Sequence, residues 1–325
     1  MLILHGRDNR HSNTMADKPL NKPVLITAEH AQKVLRAWLG ESVSVTSLMP
    51  LTGGCVNTVV ELGFDHPRSP VVIKAAHGPG HGGLEHEYAT LSFFQNNTTF
   101  PLPEPYLVDV SCEEVPFSFL LMQRLPGMNF GQASRWMTSR DHMSVERRIA
   151  EAVAELHTHT GPHFGSIHAD SGHTSWAEAF KPGVQREHDW NRELGLVSAR
   201  SLDRVAEMLE RFDRLFDVPG EPVMVHGDIW ATNIIVRGEP GSASLSGFVD
   251  GGGSYSHPEF ELAYLEIWRT VGREFFEIYH RTHPPFEGYP QRRLVYWLNT
   301  LLLHVRCFKT QNYVAAAEQI IDRLP

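Results

Sequence analysis

Three polar residues in the second half of the 325-residue chain have the types and spacing that phosphoryl transfer requires. In the stretch His226-Gly-Asp-Ile-Trp-Ala-Thr-Asn233, Asp228 precedes Asn233 by five positions, and Asp250 follows the apolar residues 247–249. Transfer of a phosphoryl group from ATP needs a carboxylate that orients and deprotonates the attacking hydroxyl, and it needs oxygen ligands for Mg²⁺. Asp228 is the candidate base, and Asn233 and Asp250 are the candidate metal ligands.

The same loop carries two further side chains with candidate roles. Taken singly, His-Gly-Asp is a common turn, Asn233 is a turn residue and Asp250 ends a strand, but the full set in this order is hard to meet by accident. His226 is expected to brace the loop by hydrogen bonding rather than to react. Trp230 is interpreted either as a core side chain or as a stacking wall for the acceptor, and the two alternatives stay open.

A second group of candidates lies nearer the N-terminus. Lys74 belongs to the apolar segment Val71–Ala76, where an unpaired ammonium would be costly. It therefore needs partners, and Glu87 together with nucleotide phosphates would serve. Gly53 and Gly54 lie between two predicted strands, where their small size allows backbone N–H groups to approach phosphate oxygens closely.

The chain changes character near residue 125. Before it, short β-branched or aromatic segments bounded by Gly, Pro or Asp predict a five-stranded sheet. These segments are Val43–Leu51, Thr58–Phe64, Val71–Ala76, Tyr106–Val110 and Phe117–Leu125. Helices are predicted over Ala28–Leu39 and, inserted between the third and fourth strands, over Leu84–Phe94. After it, helical periods dominate, including one that continues through Glu259–Arg281. A short β-rich island interrupts them at Val223–His226, Asn233–Val236 and Leu245–Val249.

These patterns predict an α+β fold in three parts. Residues 1–24 are predicted to be a disordered N-terminal extension. Residues 25–124 form a β-rich N-lobe, and residues 125–325 form a helical C-lobe that contains the candidate catalytic stretch at 226–233.

Several of these motifs resemble those of the aminoglycoside phosphotransferase superfamily. The catalytic stretch is similar to the H-G-D-L-W-x-x-N form of fructosamine kinases. The segment Leu51–Asn57 resembles the glycine-rich nucleotide loop, so Asn57 is included among the nucleotide-binding residues. Val72-Ile-Lys74 and Glu87 look like the lysine strand and its helix glutamate, and Phe119–Gly127 resembles the hinge between lobes.

The resemblance implies a protein-kinase-like two-lobe fold and an ATP- and Mg²⁺-dependent kinase, in which the N-lobe binds the nucleotide and ends at a hinge and the C-lobe carries the acceptor site. It implies that the hinge contacts adenine through the backbone of Gln123 and Leu125, with Met122 behind. The implied acceptor is a sugar-amine of the fructosamine type, with aminoglycosides or other small metabolites as the alternative.

The sequence departs from the fructosamine kinase pattern around the expected acceptor site. Gly-Gly-Gly follows Asp250 where Pro-Ala is usual, Glu261 stands in place of an Asp, and residues 231–232 are Ala-Thr instead of Ser-Gly. Glu261 is a supporting or substrate-contacting candidate. A polycationic aminoglycoside would need several free carboxylates, and Glu259, Glu261 and Glu266 are the acidic residues available.

Two other classes of function compete with a kinase. Residues 78–83 contain G-x-G-x-x-G between a strand and a helix, which is typical of nicotinamide dinucleotide binding, although the acidic residue and the repeated βαβ units are missing. A flexible linker is the favoured interpretation of this run. The other competitor is a nucleotide-binding regulatory protein without turnover. A protein kinase is disfavoured because no A-P-E segment follows Asp250.

The composition of the chain restricts the classes of binding partner and the cellular compartment that can be expected. A net charge of −9 disfavours nucleic acids and anionic membranes. Three widely spaced cysteines suit a reducing compartment, and a cytoplasmic protein that is a monomer or homodimer is expected. Cys55, beside Gly54, is either a reactive thiol or an inert small residue.

Overall fold

The computed structural model describes residues 23–51 and 57–325 of the chain, and these divide into two units. The first unit contains the residues up to Asn97 together with Leu102–Pro126, and the second contains Thr98–Pro101 and Gly127–Pro325. Within the described part of the chain, no helix is both long and apolar enough to cross a membrane.

An antiparallel five-stranded sheet forms the centre of the first unit. Its strands are β1 (Val45–Pro50), β2 (Thr58–Phe64), β3 (Val71–Ala76), β4 (Pro105–Asp109) and β5 (Ser118–Gln123). They are ordered β1-β2-β3-β5-β4. The sheet confirms the five predicted strands, with ends that differ by a few residues. Side chains from β2, β3 and β5 are buried because this sheet is covered by apolar residues on both faces.

Two helices accompany this sheet, α1 (Ala28–Leu39) and α2 (Leu84–Asn97). Helix α1 begins at a capping box made by Thr27 and His30 and ends at Gly40, whose φ of 75° suits a residue without a side chain. Helix α2 joins β3 to β4, as predicted. Val24, which the sequence assigned to the disordered extension, is buried, and its N–H donates to the Thr58 hydroxyl at 2.8 Å.

Helices dominate the second unit. They are α3 (Phe130–Ala133), α4 (Ser139–Leu156), α5 (Trp176–Leu194), α6 (Ala199–Glu210), α7 (Phe212–Leu215), α8 (Pro258–Ile267), α9 (Arg273–Tyr279), α10 (Tyr289–Phe308) and α11 (Gln311–Ile321). The predicted continuous helical pattern over Glu259–Arg281 was wrong, since α8 and α9 are separate. The chain breaks where Arg269 takes a φ of 50°, and α9 then begins after Gly272.

Two small sheets complete the second unit. One contains β10 (Ser244–Phe248), β9 (Ile234–Arg237) and β6 (Met128–Asn129), and the other contains β7 (Gly165–Ser166), β11 (Ser254–Ser256) and β8 (Val223–Val225). The predicted β-rich island is therefore divided between two sheets. Residues 226–233 connect β8 in one sheet to β9 in the other, so both ends of the candidate catalytic loop are anchored.

Candidate active site

Hydrogen bonds within the loop and one from the residue after β10 hold the loop between β8 and β9 in place. Ile229 is fully buried, and the Asn233 N–H donates to the Trp230 carbonyl at 2.9 Å, which closes a turn. The Val249 N–H then donates to the Asn233 carbonyl at 2.9 Å. This last bond ties the end of β10 to the end of the loop, and it places Asp250 beside the loop rather than at an unrelated strand end.

Two donors hold the Asp228 carboxylate, one on each oxygen. Asn233 Nδ2 donates to Oδ2 at 2.8 Å and also to the Asp228 carbonyl at 3.0 Å, while the Tyr264 hydroxyl donates to Oδ1. Burial raises the pKa of Asp228 to about 7, and the nearby charges of Asp250 and Glu261 act in the same direction, whereas the hydrogen bonds from Tyr264 and Asn233 oppose the rise. A carboxylate with this pKa is suited to take a proton from a hydroxyl near neutral pH.

Glu261 lies beneath the backbone of the catalytic loop. Its carboxylate accepts the His226 N–H at 3.0 Å and the Gly227 N–H at 2.7 Å, and its side chain is only 1% exposed. His157 Nε2 lies 3.4 Å from the same carboxylate. Burial would raise the pKa of Glu261, but the contacts with His157, His226 and Gly227 lower it, so the group holds the loop as an anion.

His226 is fully buried, and it accepts hydrogen bonds from two backbone N–H groups. Its Nδ1 accepts the Asp228 N–H at 3.2 Å, and its carbonyl accepts the Gly252 N–H at 3.0 Å. Burial lowers the pKa of the imidazole, which keeps the ring neutral. These hydrogen bonds join the His226 ring and carbonyl to the backbone of residues 228 and 252.

The first glycine after Asp250 has a steric explanation. A Cβ at Gly251 would lie 2.9 Å from Cδ2 of His226, which is buried and has no room to move. Asp250 itself has a φ of 63°, a strained value for a residue with a side chain. Gly251 therefore lets the chain pass close to His226 just after Asp250, whereas a Cβ at Gly252 would meet open space.

The oxygen atoms near the loop fit a hard cation. Asn233 uses its Nδ2 group on Asp228, and its amide oxygen accepts a long hydrogen bond of 3.4 Å from the Thr232 hydroxyl. This oxygen and the Asp250 carboxylate could hold a metal ion. The negative charge of Asp250 raises the pKa of Asp228, so a cation held at Asp250 would offset this repulsion. Within residues 23–51 and 57–325, no group of three or more His, Cys, Asp or Glu side chains forms a metal site by itself.

In the first unit, the predicted Lys74–Glu87 pair is present. Lys74 Nζ lies 2.5 Å from Glu87 Oε1, and the side chains are 12% and 17% exposed. Lys74 projects from β3 and Glu87 from the first turn of α2, so the inserted helix supplies the counter-charge that the apolar strand lacks. The pair keeps the ammonium in a defined place within the sheet.

The glycine run at 78–83 connects β3 to α2, and side chains from elsewhere in the first unit hydrogen-bond to it. Asn57 Nδ2 donates to the Gly82 carbonyl at 3.1 Å, and the Ser118 hydroxyl donates to the Gly78 carbonyl at 2.6 Å. The strands that flank this run and α2, β3 and β4, do not pair with each other, because the antiparallel strand β5 lies between them. A dinucleotide site is built instead on adjacent parallel strands. Gly53, Gly54 and Cys55 lie outside the described residues.

The predicted hinge residues lie at the end of β5, which contains Met122 and Gln123, and just after it, where Leu125 follows. Met122 and Leu125 are buried, with 4% and 8% exposure. The Gln123 N–H donates to the Glu104 carbonyl at 2.8 Å, and its side-chain oxygen accepts the Glu104 N–H at 3.3 Å. Two bonds to one neighbour hold this part of the chain in an extended conformation.

Trp230 is half-buried and belongs to an aromatic cluster next to the loop. Its ring lies 6.5 Å from that of Trp268, which in turn lies 6.2 Å from the ring of Tyr264. Trp230 is thus not a fully enclosed core side chain. Neither Tyr264 nor His157 was among the site residues predicted from the sequence. His157 caps α4 and is buried against Glu261.

Comparison with known proteins identifies the family. A family model described as fructosamine kinase matches residues 27–325. The chain belongs to the fructosamine kinase family. The chloroplastic protein-ribulosamine 3-kinase of Oryza sativa subsp. japonica is 25% identical over 315 residues, which cover 91% of this chain and 85% of that protein.

Solved structures share the fold of this fructosamine kinase family member. The crystal structure of a Haemophilus somnus protein described as a fructosamine-3-kinase has a TM-score of 0.72 and 21% sequence identity to this chain. The match covers 90% of this chain and 96% of that one. A thermostable mutant of aminoglycoside phosphotransferase APH(4)-Ia, solved with ADP and hygromycin B, has a TM-score of 0.65 and 18% identity, with coverage of 90% and 96%. The fold is therefore the protein-kinase-like α+β fold that the sequence predicts.

Proposed function

We propose that this fructosamine kinase family member transfers the γ-phosphoryl group of ATP to a hydroxyl of a sugar-amine acceptor, with Mg²⁺ as cofactor. The observation that carries the proposal is the Asp228 carboxylate, held by donors on both oxygens and with a pKa raised to about 7. Such a group accepts the proton of a hydroxyl as that hydroxyl attacks phosphorus.

Each further role is assigned to residues whose positions support it. Lys74, held by Glu87, contacts nucleotide phosphates, and the backbone at Gln123 and Leu125 contacts adenine. Asn233 and Asp250 hold Mg²⁺, which neutralises charge on the phosphates when it is bound. The O–P bond to the acceptor forms as the bond from phosphorus to the ADP oxygen breaks, and the acceptor proton goes to Asp228.

The carboxylates near the loop support an acceptor with one amine over a polycationic aminoglycoside. Glu259 pairs with Arg292 at 2.6 Å, and Glu266 pairs with Arg293 at 2.9 Å. Glu261 is committed to the loop backbone. A polycation needs several carboxylates that are not already paired, since each charge must be matched when it is desolvated. The rice relative is named as a ribulosamine kinase, which is also a sugar-amine kinase.

A ³¹P-monitored acceptor panel with Mg-ATP tests the proposal. The panel contains ketosamines, simple sugars and kanamycin-type aminoglycosides, and we expect phosphorylation of ketosamines with little turnover of the drugs. Robust aminoglycoside turnover without ketosamine turnover would reverse the choice of acceptor but keep the kinase. ATP binding without turnover of any acceptor would instead favour a regulatory protein.

We expect the Asp250→Asn variant to require more Mg²⁺. The concentration of Mg²⁺ that gives half-maximal turnover should rise by about tenfold or more, because the site loses one ligand charge. Titration of turnover with Mg²⁺ at saturating acceptor measures the change. Asp170→Asn, which removes an exposed carboxylate in the same unit, is the control. Wild-type Mg²⁺ dependence in Asp250→Asn would contradict the assignment.

The Lys74→Met variant should bind ATP more weakly and turn over about 10–100-fold more slowly, because a positioned cation on the phosphates is lost. Isothermal titration with a non-hydrolysable ATP analogue and steady-state kinetics measure the two effects. Glu87→Gln should show the same trend, since Lys74 then loses its partner. Glu85→Gln, on the exposed side of the same helix, should match the wild type. An unchanged nucleotide affinity in Lys74→Met would remove the residue from the nucleotide site.

A further inference from the structure

Tyr264 contacts the candidate base from helix α8. Its hydroxyl donates to Oδ1 of Asp228, while Asn233 Nδ2 donates to Oδ2 at 2.8 Å. Tyr264 lies three positions after Glu261, so both side chains project from one face of the helix. Glu261 holds the backbone of the catalytic loop, and Tyr264 holds the carboxylate that the loop presents.

The phenol of Tyr264 is itself fixed. Its ring packs edge-on against Trp268, with ring centroids 6.2 Å apart. Burial and the adjacent Asp228 charge raise the pKa of the Tyr264 hydroxyl, so the group remains a donor throughout the neutral range. The contact therefore has a constant direction, from the phenol to the carboxylate.

Two donors on different oxygens restrict the rotation of the Asp228 carboxyl group. A carboxylate oxygen has two lone pairs, so one bond to each oxygen leaves a second lone pair on each. Free rotation about the Cβ–Cγ bond of Asp228 would change the direction of those lone pairs continually. With Asn233 and Tyr264 both bonded, the remaining lone pairs keep a defined orientation.

We propose that Tyr264 is a positioning residue that orients the Asp228 carboxylate toward the acceptor hydroxyl. The proposal rests on the proposed kinase function for its catalytic consequence, whereas the contact is a property of the folded chain. Tyr264 keeps its proton during the reaction, because the acceptor proton goes to Asp228. Misorientation of a reacting group lowers the turnover rate more than it lowers the affinity for substrate.

Steady-state kinetics of Tyr264→Phe test the catalytic consequence. We expect kcat to fall by about 10–100-fold, while KM for ATP stays within a few fold. Tyr289→Phe is a matched control, because the Tyr289 hydroxyl also donates to a carboxylate of α8, that of Glu266. A wild-type kcat in Tyr264→Phe would overturn the proposal.

A combination with Asp228→Ala separates positioning from a general structural role. If Tyr264 acts through Asp228, Tyr264→Phe should have no effect on the residual turnover of Asp228→Ala. If the phenol acts independently of Asp228, Tyr264→Phe should reduce turnover by the same factor in the wild-type and Asp228→Ala backgrounds. That result would overturn the proposal. The residual turnover is measured as Mg-ATP-dependent product formation at high enzyme concentration.

A double-mutant cycle on unfolding tests the contact without any use of catalysis. Denaturant unfolding of the wild type, Tyr264→Phe, Asp228→Ala and the double variant should give non-additive effects, with a coupling of about tenfold in the folding equilibrium constant. Additive effects would show that the two side chains do not interact, which would overturn the proposal. A wild-type chain that phosphorylates no acceptor would contradict the proposed function, and this cycle would still decide the role of Tyr264.

Discussion

Turnover of the Asp228→Asn variant should fall by about 10²–10⁴-fold, because the substitution removes the general base while preserving the shape of the side chain. The affinity for ATP should stay within a few fold of the wild type, since Asp228 is assigned to the acceptor. The amide oxygen can still accept from Asn233 Nδ2 while its NH₂ group donates to the Tyr264 oxygen, which can act as an acceptor, so the loop should keep its conformation. Steady-state kinetics and titration with an ATP analogue measure the two quantities.

The control for this variant is Asp213→Asn. Asp213 is an exposed carboxylate in the second unit that pairs with Lys181 at 3.0 Å, and its replacement should leave turnover near the wild-type value. Loss of ATP binding in a folded Asp228→Asn protein would show that Asp228 acts on the nucleotide. Retention of full turnover would show that another group accepts the proton.

The second large effect is expected at Glu261, where Glu261→Gln should lower both stability and turnover. Gln offers one acceptor oxygen where the carboxylate offers two, and its NH₂ group would face the N–H of His226 or Gly227. Leaving a buried donor unpaired and removing a charged acceptor costs about 2–4 kcal/mol of unfolding free energy. The folded fraction should also turn over about 10–100-fold more slowly, because the loop backbone shifts beneath Asp228.

Glu187→Gln is the matched control for Glu261→Gln. Glu187 is also a buried carboxylate of the second unit, but it pairs with Arg306 at 2.8 Å and not with the catalytic loop. It should lose stability in denaturant unfolding while the kcat of the folded enzyme stays near the wild-type value. If Glu261→Gln behaves in the same way, Glu261 supports the fold alone and has no role in positioning the loop.

The motifs were predictable because their chemistry depends on residue types at short spacing. The five strands of the first unit and helix α2 follow from local patterns of apolar and β-branched residues, and the Lys74–Glu87 pair follows from the cost of burying an ammonium. The strands β6, β7 and β11 were not predicted, because they have only two or three residues and, unlike the equally short β8, they contain no β-branched apolar residues. The break between α8 and α9 was missed for a similar reason, since apolar residues continue on both sides of Arg269.

The sequence by itself indicated the kind of chemistry, the order of the β-rich and helical parts of the chain and the residues of the candidate catalytic loop. Only the tertiary structure decided what holds that loop, because the supporting groups are distant in sequence. Glu261 lies 35 positions from His226, Tyr264 lies 36 from Asp228, and His157 lies 104 from Glu261. No local pattern relates such residues. They become neighbours because α8 packs beneath the junction of two sheets, where a buried carboxylate satisfies backbone N–H groups that would otherwise lack partners.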